Sequence, residues 1–334
     1  MKRPWLTPLV PLYAAGLAWQ NLAMDRGWEP VRRLRFPVVS IGNLSTGGAG
    51  KTPLAIELAR LLVARGFYVD ILSRGYGRRT TFASRVRPEG VAEDYGDEPL
   101  LLARQTGLPV FVDAERYVAG LLAEGDIPQQ DAGRPCVHLL DDGFQHRRLA
   151  RAVDIVLLNR EDWLDALLPA GNRREFRSAL RRAHVLVIPA EEPDLETELR
   201  AAGWQGPVWK LSRSMRVPAV DGSVAAFCGI ARPAQFFAGL SAAGLTLATQ
   251  STFHDHYAYT VADCQRLVGS ARANGATALV TTEKDLARLG TLSALLRGDL
   301  PLHAVPLAVT LQDEAAALAW LVARLQAAAG AQPV

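Results

Sequence analysis

The chain of 334 residues predicts an α/β protein of two α/β/α domains. Short apolar runs alternate with helix-patterned stretches, the order that builds parallel doubly wound sheets. The alternation lapses after Pro189 and restarts at Val224. The chain is also too long for one typical core. Pro207–Ser212 and Val217–Ala219 are expected to form a small two-stranded ribbon between the domains. The expected parts are an N-terminal interfacial segment over 1–35, a first domain over 36–205, the ribbon over 206–222 and a smaller second domain over 223–330.

Composition narrows the class. Hydrophobic residues at 49% and charged residues at 21% describe an ordinary globular protein. Cys136, Cys228 and Cys264 are too scattered for a disulfide framework or a metal site, so a reduced compartment is expected. Residues 1–35 carry Lys2, Arg3, Arg26, Arg32, Arg33 and Arg35 against Asp25 and Glu29. That is +4 of an overall net charge of +3, so the rest of the chain is near neutral and a nucleic-acid-coating role is not expected.

From Pro4 to Met24 no residue is charged. Pro8 and Pro11 hold off a helix until Leu12, and Gln20 and Asn21 interrupt its end. Such a helix is short against the ~20 apolar residues of a membrane span. With Trp5, Trp19 and Trp28 and the flanking arginines, the segment reads as an interfacial helix on anionic lipid. A buried core helix is the alternative.

Val38-Val39-Ser40-Ile41 is an apolar strand. A glycine-rich loop, Lys51-Thr52 and a helix with Leu54, Leu58, Leu61 and Leu62 follow. Strand, loop, Lys-Thr and helix in that order define a phosphate-binding P-loop, so the first domain is expected to be a P-loop NTPase-like doubly wound sheet. Gly47, Gly48 and Gly50 let backbone N–H groups approach an anion. Lys51 can reach the β and γ phosphates and Thr52 can ligate Mg²⁺. The strict pattern has Gly where this chain has Ser45.

Phe67–Leu72 is a second strand, and the loop after it holds Ser73, Arg74, Tyr76 and Arg78. Arginines at a strand's carboxyl end can hold phosphate or sugar oxygens. Gly96-Asp97-Glu98-Pro99 opens a helix that runs through Gln105. Asp97 reads either as its N-cap or as a general base for an alcohol acceptor. Pro109–Val112 is a strand and Glu115–Glu124 a helix. Cys136–Leu140 runs apolar into Asp141-Asp142, the usual carboxylate partner of a P-loop metal. Adjacent strand residues face opposite ways, so only one of the two can face the metal while the strand is regular. Asp154–Leu158 is a strand, and Arg160–Arg182 is expected to leave the first domain.

In the second domain the pattern gives strands Val224–Gly229, Leu245–Thr252, Ala278–Thr281 and Ala304–Val309, and a last helix Asp313–Ala328. His254 and His256 lie past a strand end without the further ligands a zinc site needs. Thr282 is a plausible helix cap in Thr281–Asp285.

Taken together, GNLSTGGAGKTP (42–53), SRGYGR (73–78), GDEP (96–99), DDGFQHRRL (141–149), LPAG (168–171) with Arg174-Glu175, FHDHY (253–257) and TEKD (282–285) resemble the tetraacyldisaccharide 4′-kinases of lipid A biosynthesis in Gram-negative bacteria. The resemblance implies transfer of the γ-phosphate of ATP to the 4′-hydroxyl of a tetraacyl disaccharide 1-phosphate, giving lipid IVA. It implies a peripheral or monotopic enzyme on the cytosolic face of the inner membrane; no nucleic-acid partner is expected from the charge balance, and no obligate protein partner is evident in the sequence. By motif match, Ser45, Thr46, Gly47, Gly48, Ala49, Gly50, Lys51 and Thr52 bind ATP. Thr52, Asp141, Asp142 and Glu175 serve Mg²⁺, and Asp97 is the base with His256 as its partner. The segment after LPAG departs from the family pattern at Asn172, Arg173 and Phe176, and Tyr257 stands where many members have a second His.

Two other classes fit parts of the pattern. A soluble P-loop kinase for a small metabolite would use the same loop. A membrane-associated nucleotide-switch ATPase would carry an early signature Lys where this chain has Thr46.

Overall fold

The computed structural model describes residues 3–47, 50–131 and 133–330. The strands are β1 (Val38–Asn43), β2 (Tyr68–Ser73), β3 (Ser84–Arg85), β4 (Val110–Val112), β5 (Cys136–Asp141), β6 (Val153–Leu157) and β7 (Val185–Pro189). They continue as β8 (Val208–Met215), β9 (Ser223–Cys228), β10 (Thr246–Thr252), β11 (Ala276–Thr282), β12 (Leu302–Val305) and β13 (Leu307–Leu311). The α-helices are α1 (Val10–Asp25), α2 (Lys51–Ala64), α3 (Ala92–Tyr95), α4 (Asp97–Thr106), α5 (Arg116–Gly125) and α6 (Arg160–Leu164). Then come α7 (Pro193–Ala201), α8 (Pro233–Ala242), α9 (Val261–Ala273), α10 (Glu283–Leu289), α11 (Ser293–Asp299) and α12 (Glu314–Gly330).

A nine-stranded sheet runs β13-β8-β7-β6-β1-β5-β2-β4-β3, parallel except where β3 and β13 pair antiparallel at its two edges. Every residue of β1 is buried, because a central parallel strand is covered on both faces. The chain goes from β1 past β5 to β2 on one side, and later places β6 on the other. The carboxyl ends of β1, β5 and β6 therefore flank a topological switch point, where open α/β sheets bind ligands. A smaller, all-parallel sheet runs β10-β9-β11-β12 with its own core of Phe227, Leu279 and Leu296. Mixed α/β architecture with a P-loop-bearing parallel sheet is thus as the sequence predicts.

The connection between the sheets differs from expectation. It is two-stranded, but Val217–Ala219 forms no strand, and Pro218 there has no N–H to give a ladder. The partner of β8 is β13, the chain on its way back, in register from Leu307↔Met215 to Leu311↔Leu211. Pro306 divides the expected Ala304–Val309 strand into β12 and β13. The second domain therefore closes near Val305, not at residue 330. Leu318, Leu321 and Leu325 of α12 join the first domain's core, and Trp320 meets Trp209 edge-on at 5.9 Å. Residues 160–182 also stay with the first domain: Arg173 bridges to Ser45, and the Arg174 N–H donates to the Leu44 carbonyl at 2.7 Å.

At the N-terminus a 3₁₀ turn over Pro4–Leu9 leads into α1, which starts earlier than expected and runs unbroken through Gln20 and Asn21. The reason is tertiary. Arg147 donates to Asn21 Oδ1 at 3.0 Å and pairs with Asp25, while the Tyr13 hydroxyl donates to the Arg174 carbonyl at 2.9 Å. The polar face thus docks on the first domain. Trp5, Leu12 and Trp19 stay outside, at 75%, 75% and 64% exposure. Among the described residues no helix is long and apolar enough to cross a membrane.

Candidate active site

Between the sheets lies a cavity of about 1370 Å³. It is bordered by the glycine-rich loop, the end of β5, the loop after β2, one side of α1, the length of α8 and the first turn of α10.

The loop after β1 takes its shape from Gly47 and Gly50, at φ 108° and 89°, where an L side chain would be strained. Gly48 and Ala49 lie outside the described residues. Lys51 opens α2 with its ammonium donating to Asn43 Oδ1 at 3.0 Å and to the Gly47 carbonyl at 3.3 Å. Ser45 is fully buried, and Thr46, Gly47, Gly50, Lys51 and Thr52 line the cavity.

Asp141 closes β5 and Asp142 follows it in the turn, where strand alternation no longer applies, and both border the cavity. Asp142 sits in the left-handed region at φ 49°, and Arg174 grips it with bonds of 3.1 and 2.8 Å. Lys51 lies 3.3 Å from the same carboxylate. Burial pushes the Asp142 carboxyl up, but Lys51 and Arg174 outweigh it and hold it below the usual range. Asp141, the last residue of β5, is 2% exposed and its Oδ1 has no hydrogen-bond partner. Burial, then Glu98 and Asp142, raise it to about 7. A buried carboxylate short of a partner and repelled by its neighbours suits a bound cation. Among the described residues no group of three or more His, Cys, Asp or Glu could by itself hold a metal ion. Asp141 and Thr52, both bordering the cavity beside the phosphate loop, are donors that fit a hard cation. Glu175 borders the same cavity; Arg182 holds one of its oxygens at 2.8 Å and the other, Oε2, is buried without a partner.

A second cluster joins the two domains. Asp97 is the first residue of α4, and the capping position is Gly96, whose φ of 92° suits glycine. The cap reading of Asp97 therefore fails. His256, held at φ 58° in the loop after β10, puts Nδ1 3.3 Å from Asp97 Oδ2. Arg288 of α10 donates to the same oxygen from Nε at 2.8 Å and Nη2 at 2.5 Å. Burial raises the Asp97 carboxyl, but the His256 hydrogen bond and the Arg288 charge overcome it and pull it well below the carboxylate range. The bond to Asp97 in turn raises His256, against burial. Beside this pair Lys284 bonds Glu98, a second interdomain contact. Thr282 caps α10 as expected, accepting from the Asp285 N–H at 3.1 Å.

Ser73 at the end of β2 and Arg74 and Tyr76 after it border the cavity, and the Tyr76 ring lies 5.4 Å from that of His256. Arg78 does not reach it. Its guanidinium donates to the carbonyls of Phe82 and Val112 at 3.0 and 3.1 Å and faces Asp113, so it holds the loop together instead. Sequence reasoning missed Arg288, Glu98 and Asn43. Only the i, i+4 spacing of Lys284 and Arg288, which puts two cations on one helix face, hinted at the first.

The fold and site define a P-loop kinase with a second α/β domain closing over its phosphate loop. A family profile for tetraacyldisaccharide-1-P 4′-kinases matches residues 2–326, and the chain belongs to that family. The tetraacyldisaccharide 4′-kinase of Koribacter versatilis is 43% identical over 324 residues, covering 94% of this chain and 96% of the relative. That of Geobacter metallireducens is 39% identical over 302 residues, covering 85% and 88%. The crystal structure of LpxK from Aquifex aeolicus in complex with ATP superposes with a TM-score of 0.73 at 31% identity, covering 96% of this chain and 98% of that one.

Proposed function

We propose that the chain moves the γ-phosphoryl group of ATP to the 4′-hydroxyl of a tetraacyl disaccharide 1-phosphate, yielding lipid IVA at the cytosolic face of the inner membrane. One observation carries the reading. A single cavity is bordered by a phosphate loop, by His256 of a paired acid–base couple and by a helix with an apolar outer face. A small-metabolite kinase needs the first two and has no use for the third.

The chemistry follows from where the groups lie. Backbone N–H groups of Gly47 and Gly50 are on hand for the phosphates, and Lys51 balances charge on the transferring group. The 4′-oxygen attacks the γ-phosphorus, the bond to the β,γ-bridging oxygen breaks, and ADP leaves. The hydroxyl proton passes to the Asp97–His256 pair, whose shared charge gives it a resting place. Asp141 and Thr52 would hold Mg²⁺, with Glu175 bordering the same cavity, and the ion would supply charge neutralisation at the transferring phosphoryl group. Asp142, engaged by Lys51 and Arg174, fits the task of orienting that lysine better than that of a ligand. Arg74, with Ser73 and Tyr76, suits the acceptor's phosphate and sugar oxygens.

The test is direct. Purified protein, Mg-ATP and detergent-dispersed disaccharide monophosphate should give a bisphosphorylated lipid by mass spectrometry, with one ADP per product. ADP release at the same rate without acceptor would favour the nucleotide switch, and transfer to a water-soluble sugar but not to the lipid would favour the small-metabolite kinase.

A further inference from the structure

The Thr282–Asp285 motif and Arg288 are unused by the mechanism as stated, yet they converge on its base. Asp285 is fully buried. It accepts from the Gly229 N–H at 3.0 Å, from the Tyr259 hydroxyl at 2.9 Å and from Arg288 Nη1 at 3.2 Å. Arg288 Nη1 also donates to the Gly229 carbonyl. Seated so, and 6% exposed, the guanidinium turns Nε and Nη2 to Asp97 across the domain boundary. Both bonds fall on Oδ2, the oxygen that His256 also approaches. We infer that Arg288 is a positioning residue that fixes which oxygen of Asp97 is held and which is left to the acceptor hydroxyl, and that it does so only when the second domain is docked.

The argument is one of geometry and charge. A carboxylate whose one oxygen receives two N–H bonds from a seated guanidinium, with His256 Nδ1 3.3 Å from the same oxygen, is held in one orientation, which fixes the direction of Oδ1 as well. The guanidinium also lies 3.4 Å from His256 Nδ1. A fixed cation at that distance opposes protonation of the imidazole as well as of the carboxylate. The other groups facing the pair are Glu98 on α4, Lys284 and Asp285 on α10, Asp255 beside His256, and Tyr76 after β2. Lys284 is taken up by Glu98, and Asp255 lies 3.8 Å from Arg288, which leaves Arg288 as the cation in direct contact with Asp97. Removing it therefore favours the protonated form of both members of the pair.

This inference rests on Asp97 and His256 acting together, so its test reads them separately from turnover. In Arg288→Gln the acidic limb of the kcat/KM profile should move up by about 1–3 pH units, the effect of losing an opposite charge at contact distance. At neutral pH, kcat should fall at least tenfold with the Kd for ATP little changed. Arg288→Lys keeps the charge and loses the fork; it should leave the limb near its wild-type position while kcat still falls. Both variants need melting temperatures close to wild type, and if Arg288→Gln does not fold, the Lys variant carries the test. An unmoved limb in a folded Arg288→Gln, or a limb in Arg288→Lys shifted as far as expected for Gln, overturns the proposal. Titration of His256 by imidazole NMR in the same proteins needs no acceptor at all. An upward shift there on loss of the guanidinium supports Arg288's role even if lipid phosphorylation proves absent, whereas an unchanged titration sinks it with the kinase reading intact.

Discussion

The phosphate loop and the Asp97 cluster, which reaches it through His256, Glu98 and Lys284, border the same cavity but are built in opposite ways. The first is assembled within one domain. Asn43, Lys51, Asp142 and Arg174 all hang from the carboxyl edge of the large sheet, and their mutual bonds are complete without the second domain. The second exists only across the boundary, since Asp97 and Arg288 are 191 residues apart in the chain and sit on helices of different domains, α4 and α10. The contrast teaches that the two clusters are physically separable: the Lys51 cluster is complete on one sheet, while the Asp97–Arg288 contact needs two bodies held in register.

The comparison can be broken most severely at Lys51. Lys51→Ala should lower turnover on the order of 10²–10³-fold, because the transition state loses a positioned cation, and should weaken ATP binding too. Near-normal turnover in steady-state assays would remove the phosphate loop from the chemistry. Next in size is the interdomain pair. Asp97→Asn and His256→Ala should each lower kcat by about 10²-fold or more with ATP affinity little changed. Combined, they should cost less than the product of the two, because the residues act as one unit. Multiplicative losses, or losses confined to ATP binding, would mean that the boundary cluster is packing alone.

The smallest effect lies deep in the first domain, far from the boundary. His138 on β5 is fully buried between Asp70 at 2.7 Å and Glu124 at 3.4 Å. Burial disfavours its charge, but the two carboxylates prevail and lift it to about 9. A folded-state value above the unfolded one means stability that is complete below about pH 6.5 and lost as pH rises through 9. Urea midpoints should therefore fall between pH 7 and 10 by the equivalent of roughly 1–3 kcal/mol, and His138→Gln should flatten that fall. An equally steep decline in the variant would place the alkaline sensitivity elsewhere, at the interdomain ion pairs for instance.

Much of the site was legible in the sequence, and the failures share a cause. Strand, glycine loop, Lys51 and helix are neighbours in the chain, so short-range sterics and apolar spacing announce them. The choice between Asp141 and Asp142 was not legible. It turns on the positive φ of Asp142 and on Arg174, whose backbone is laid beside Leu44 by pairing of the loops. Arg78 and Arg74 look alike in sequence, and only the carbonyls of Phe82 and Val112 distinguish the one that holds the loop from the one that faces the cavity.

The sequence by itself determined the fold class, the phosphate loop, the apolar N-terminal helix and the family, because each is written in contiguous residues or in motifs whose order survives without coordinates. The tertiary structure alone decided that β13 and α12 return to the first domain, that Gly96 rather than Asp97 caps α4, and that Arg288 reaches Asp97. These depend on which strand edge is left to pair and which buried charge lacks a counter-ion. Both are questions of long-range partnership, which local propensity does not encode.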